Sequence, residues 1–104
     1  MDKRKVVEKV RRFAQAVALR YHPSRIILFG SCAKGSPHTD SDIDVAVIFE
    51  RIDGDFLALE SQLYLLRNSI DVNIEPVLLE EGNDRSGFLE EVVRTGELIY
   101  SKAA

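Results

Sequence analysis

Tryptophan is absent from the chain, and cysteine and methionine occur once each. One cysteine cannot form an internal disulfide framework. With no CxxC spacing and only two histidines, nothing suggests a zinc site. Long apolar runs are also missing. The longest stretches, such as Val45-Ala46-Val47-Ile48-Phe49, are strand-sized and far short of the ~20 residues that span a bilayer. No leader-like segment stands out, so a reducing, cytoplasmic setting is expected and membrane insertion is not. Low-complexity tracts, internal repeats and linkers are lacking, and 104 residues with 45% hydrophobic content suit one domain over 1–104, with a core but no second lobe.

The net charge of −3 hides an asymmetry. Residues 1–25 hold eight Lys or Arg against Asp2 and Glu8, a net of 8 − 2 = +6, which leaves 6 − 15 = −9 for the rest. A basic segment of this kind can attract an acidic partner or nucleic acid. Here the cations fall on the polar side of an amphipathic pattern, so a solvated helix face is the better reading, and nucleic-acid binding is not expected.

Periodicity divides the chain into alternating elements. Val6, Val10, Phe13, Val17 and Tyr21 recur at helical spacing, which predicts a helix over 2–21 that stops at His22-Pro23. Strands are expected over 25–30 and 43–50. Between them lies the polar stretch Ser36-Pro37-His38-Thr39-Asp40. After Gly54, Asp55 is a good N-cap for a second helix with Phe56, Leu59, Leu63 and Leu66 as its buried face. A strand over 70–79 follows, in which Ile70, Val72 and Ile74 alternate with Asp71, Asn73 and Glu75. Ser86 is placed to cap a third helix carrying Phe88, Leu89, Val92 and Val93, with Gly96 at its C′ position. Residues 97–101 complete the pattern as a short strand. The fold class is therefore α/β (α+β): a small mixed sheet flanked by helices in the order α-β-β-α-β-α-β.

The chemistry concentrates in residues 30–45. The apolar run Ile26-Ile27-Leu28-Phe29 breaks at Gly30-Ser31, where a glycine admits close approach to the backbone and a hydroxyl adds a donor, a combination suited to phosphate. Asp42 and Asp44 then open the second apolar run, and the strand period of two aims both carboxylates the same way. Two such charges at ~4 Å repel by about 4 kcal/mol at an effective dielectric of ~20, and a divalent cation removes that repulsion. Mg²⁺ binds through one or two carboxylates together with substrate phosphate oxygens. Each piece alone is ordinary, a turn or a wet strand edge. Together, with a strand before each, they describe a metal-triphosphate site. Cys32 sits inside this segment, where a small filler residue is favoured over a reactive thiol. Neither His22 nor His38 has a neighbouring nucleophile.

Gly30-Ser31, the following Gly35 and Ser41-Asp42-Ile43-Asp44 resemble the signature of the DNA polymerase beta-like nucleotidyltransferase superfamily, in particular its minimal nucleotidyltransferase domains paired with HEPN-domain proteins in toxin–antitoxin modules. The chain departs from the pattern between the glycines, where members commonly carry Arg and this sequence has Cys32 and Lys34. Lys34 retains a point charge there without the bidentate fork. The resemblance implies two Mg²⁺ ions held by Asp42, Asp44 and a third carboxylate on a later strand. Glu75 is favoured for that role over Asp71, because, measured back from the following helix, it falls where minimal members of the family place their acid, and Ile74-Glu75-Pro76-Val77 is similar to their apolar-acid-apolar pattern; Pro76 suits a strand end or edge there. It also implies that Gly30, Ser31, Lys34 and Gly35 grip the phosphates of ATP. AMP would pass to a hydroxyl, perhaps a tyrosine, of a HEPN-type partner, with release of pyrophosphate. The alternative is an antitoxin that neutralises its partner by occlusion, without catalysis. A third reading, an accessory subunit for a small-molecule acceptor, lacks an acceptor-binding lobe. Self-association is left open by the sequence.

Overall fold

The computed structural model describes residues 2–33 and 42–103. In chain order these form helix α1 (Lys3–Arg20), strand β1 (Arg25–Phe29), a single 3₁₀ turn (Gly30–Cys32), strand β2 (Ile43–Phe49), helix α2 (Phe56–Arg67), strand β3 (Ile74–Glu80), helix α3 (Phe88–Thr95) and strand β4 (Glu97–Ser101). The expected element order is the one found. Lys34, Gly35, His38 and Ser41 lie outside the described residues.

The four strands form one mixed sheet in the order β3-β2-β1-β4. β1 pairs antiparallel with β2 and with β4, whereas β2 and β3 run parallel and are joined through α2. A parallel pair needs such a crossover, since a tight turn only reverses the chain. The inner strands β1 and β2 have the near-continuous apolar sequence that burial on both faces requires.

Strand alternation sorts the core into two layers. Ile26 and Leu28 of β1 and Ile43, Val45 and Val47 of β2 meet Val6, Val10, Phe13 and Val17 of α1 and Leu63 of α2. On the opposite face, Ile27, Ala46 and Ile48 meet Leu89 and Val92 of α3. Asp44 shares the parity of Ala46 and Ile48, so it stands at the end of the α3 face, where β2 begins.

Several local expectations are corrected. The third strand starts at Ile74 instead of Ile70, because Asp71 turns its carboxylate onto the Asn73 N–H and the chain reaches β2 only when Ile74 comes opposite Ile43. Consequently Asp71 and Glu75 do not share a strand face. Ser86 is a minor cap: the Asp84 carboxylate accepts from the Leu89 and Glu90 N–H groups, and Gly87, at φ +78°, turns the chain into α3. Gly96 is extended and not left-handed. It is glycine because a Cβ there would lie 2.5 Å from Ile27 Cγ2 and 2.8 Å from the Leu28 carbonyl. Only Leu63 is fully buried on α2, and Phe56 is exposed, as are Phe88 and Val93 on α3. Pro76 sits within β3 but on an edge strand, where its missing N–H is tolerated.

Candidate active site

The site is built where β1 ends. Phe29 is the last residue of β1, and the chain turns sharply through Gly30, Ser31 and Cys32 in one 3₁₀ turn, closed by the Ala33 N–H bonding to the Gly30 carbonyl. A helical turn leaves its first N–H groups without partners of its own. Gly30 is required twice over. Its φ of +75° is in the left-handed region, and a Cβ on it would fall 2.5 Å from Asp44 Oδ2. The Asp44 carboxylate is therefore packed directly against the bend. Ser31 is exposed beside it.

Register supplies the second carboxylate. Glu75 is the parallel neighbour of Asp44, and at an inter-strand spacing of ~4.8 Å residues in register present their side chains on the same face. Asp42 precedes β2 by one residue and is exposed, and its backbone carbonyl accepts the Cys32 thiol proton at 3.6 Å. The bend and the start of β2 are tied together by that contact. Lys3 holds the far side of the bend, donating to the Ala33 carbonyl at 3.1 Å while pairing with Glu97.

The charges that act on Asp44 are negative. Burial pushes the Asp44 carboxyl above its ordinary value, and the negative charges of Asp42 and then Glu75 push it further in the same direction. The Cys32 thiol is fully buried and is likewise pushed up, first by burial and then by Asp44, so it stays protonated and unreactive. That agrees with its reading as a filler residue.

The Glu75 carboxylate is engaged from α2. Tyr64 donates its phenol to Oε2 at 3.1 Å, and Arg67 Nη1 lies 3.5 Å from Oε1. These partners were not legible as such in the sequence, although both lie on the face of α2 that precedes β3 by one loop. Among the described residues no three acidic, histidine or cysteine side chains by themselves enclose a position for a metal ion. Asp42 and Asp44 with phosphate oxygens nevertheless suit Mg²⁺, a hard cation that accepts few protein ligands. Asp71 is elsewhere, paired with Lys9 at 2.8 Å. Burial opposes its ionisation, but Lys9 and the Asn73 N–H outweigh burial and lower its pKa.

This architecture is shared with solved structures. A candidate nucleotidyltransferase from Sulfolobus solfataricus superimposes with a TM-score of 0.70 at 20% identity, covering 97% of this chain and 85% of that one. A candidate minimal nucleotidyltransferase gives 0.63 at 26% identity over 92% of this chain and 94% of the other. A mutant of the MntA–HepT toxin–antitoxin pair gives 0.61 at 20% identity over 98% of this chain and 75% of that one. Comparison with curated proteins gives no match. The family described as polymerase beta, nucleotidyltransferase, matches residues 11–104, which takes in the bend, the acidic strand opening and all four strands. The chain belongs to the polymerase beta nucleotidyltransferase family.

Proposed function

We propose that this chain is a divalent-cation-dependent adenylyltransferase that moves AMP from ATP onto a hydroxyl of a HEPN-type protein and thereby acts as an antitoxin in the cytoplasm. The observation that carries this reading is the Asp44 carboxylate, desolvated, crowded by Asp42 and Glu75, and pressed against Gly30 at the end of β1. Uncompensated like charges destabilise a fold, so their concentration beside a phosphate-suited bend makes sense if a cation and a nucleotide complete them. Family membership supports the transferase class, and the likeness to a toxin–antitoxin pair supports the antitoxin role. No helix among the described residues is long and apolar enough to cross a membrane.

In this reading 1–104 acts as one catalytic domain. Asp42 and Asp44 would hold Mg²⁺ together with phosphate oxygens of the nucleotide, with Glu75 as the third carboxylate that the family resemblance implies. Gly30, Ser31, Lys34 and Gly35 hold the triphosphate. Bound Mg²⁺ would neutralise phosphate charge and favour deprotonation of the acceptor hydroxyl. The hydroxyl oxygen bonds to the α-phosphorus as the bond to the bridging oxygen breaks, and pyrophosphate leaves. The hydroxyl proton passes toward Glu75. Most of the rate comes from alignment and charge compensation.

The test is transfer of label from α-labelled ATP to a co-produced HEPN-type partner. Asp42→Asn combined with Asp44→Asn should lower transfer about 1,000-fold, since cation stabilisation of such transition states amounts to several kcal/mol. Transfer at the unaltered rate would remove the proposed site. Neutralisation of the partner by the same variant would favour occlusion instead.

A further inference from the structure

On the α3 face of the sheet, the surface beside the acids is apolar. Phe29 is the cross-strand neighbour of Asp44 on β1, as Glu75 is on β3, and strand parity puts Val77 on the same face two residues beyond Glu75. α3 covers Ile27, Ala46 and Ile48, but Phe29 and Val77 stay half-buried, and Val77 joins neither core layer among the described residues. Phe88, the first residue of α3, is 40% exposed and meets Phe29 edge to face, with ring centroids 5.7 Å apart and an interplanar angle of 80°. A lone exposed phenylalanine is ordinary on a protein surface. This one extends an apolar strip that begins at the residue directly before Gly30.

We propose that Phe29 and Phe88 form an aromatic shelf on which the base of the nucleotide stacks while its phosphates lie at the Gly30 bend. The inference rests on the nucleotidyltransferase reading and adds the part of the substrate that neither the bend nor the acids can hold. A nucleoside triphosphate is densely charged at one end and presents a flat, apolar π-face at the other. The site is divided in the same way, with the N–H groups of the bend and the Asp44 carboxylate on one side and the Phe29 ring immediately beside them. The edge-to-face contact already orients both rings, so stacking a base on them sacrifices little rotamer freedom. Stacking of a base on an aromatic side chain strengthens binding by about five- to 150-fold. Phe29 supplies the fixed inner edge of the shelf, and Phe88, the more exposed ring, supplies its outer part.

The measurement is calorimetric titration of the full chain, in the presence of Mg²⁺, with two ligands. One is ATP carrying a methylene bridge between the α- and β-phosphorus atoms; the other is inorganic tripolyphosphate, which has the charge and no base. Phe88→Ala should weaken the ATP analogue about tenfold more than it weakens tripolyphosphate. Phe88→Leu keeps apolar bulk without a π-face and should show the same selective loss, whereas Phe88→Trp should bind the analogue at least as well as the unaltered chain. Equal losses for the two ligands, no loss of the analogue, or full binding of the analogue by Phe88→Leu overturn the shelf. Loss of both ligands in Asp42→Asn with Asp44→Asn, together with no selective loss in Phe88→Ala, removes the shelf and leaves the site standing. Binding of both ligands by that double variant at the level of the unaltered chain, or no binding of the analogue by the unaltered chain, removes the site and this inference with it.

Discussion

Asp44 and Asp71 carry the same side chain into opposite electrostatic settings. Burial, Asp42 and Glu75 raise the carboxyl of Asp44, so between its ordinary value of ~3.9 and its folded value the native chain holds a proton that the unfolded chain has released. Stability from this group is therefore present below the ordinary value and lost as pH rises through the folded one. Asp71 is the reverse: Lys9 and the Asn73 N–H lower it despite burial, so its contribution is present above the ordinary value and lost as pH falls through the folded one. Without divalent ions, Asp44→Asn should raise the thermal midpoint at pH 7, whereas Asp71→Asn should lower stability there by about 1–2 kcal/mol. Both differences should shrink toward about pH 3, in thermal unfolding followed across pH. Changes of the same sign at pH 7 would contradict the structure. At this scale the identity of the acids was legible, but their settings were not. Asp71 and Glu75 share one alternating run, and although the sequence favours Glu75 as the site acid, the pairing of Asp71 with Lys9, distant along the chain, appears only in the fold.

Elements depended on local pattern most where the pattern was long. Five buried residues at helical spacing make α1 plain in the sequence, and Asp55 caps α2 as expected, accepting from the Ala58 N–H at 3.1 Å. Short signals misled. The alternation Ile70, Val72, Ile74 suggests a strand, yet a strand exists only where a neighbour offers its backbone, and β2 does so from Ile43 onward. Ser86 looked like the cap of α3, while the two bonds come from Asp84, at 2.8 and 3.0 Å to Leu89 and Glu90. Asp84→Ala should accordingly cost about 1–2 kcal/mol and Ser86→Ala, whose bond to the Phe88 N–H is 3.3 Å, a few tenths, as read by denaturant unfolding. Equal costs would show that Asp84 is not the main cap. Gly96 carries the same lesson: the residue type signals a helix end, but the reason for glycine is the close passage of β1 behind it.

For the whole molecule, the sheet places Asp44 and Glu75 in register beside the bend that ends β1, and a ligand specific to the folded state should act on the whole fold. Mg²⁺ with the methylene-bridged ATP analogue at about 100 times its dissociation constant should stabilise the fold by ~2.7 kcal/mol, a rise of several degrees in thermal midpoint. That rise should disappear in Asp42→Asn with Asp44→Asn; an equal rise in the variant would place the ligand elsewhere. The sequence by itself determined the element order and the α/β class, because helical and strand periodicities are local properties of the chain. It also marked the Gly-Ser bend and the paired aspartates, because their spacing within one segment is short. Only tertiary structure decided that Glu75 lies beside Asp44, that Asp44 fills the space a Gly30 side chain would need, and that Tyr64 and Arg67 hold Glu75. Those relations join residues from separate elements, and register between strands is set by packing against the whole core, which no single segment encodes.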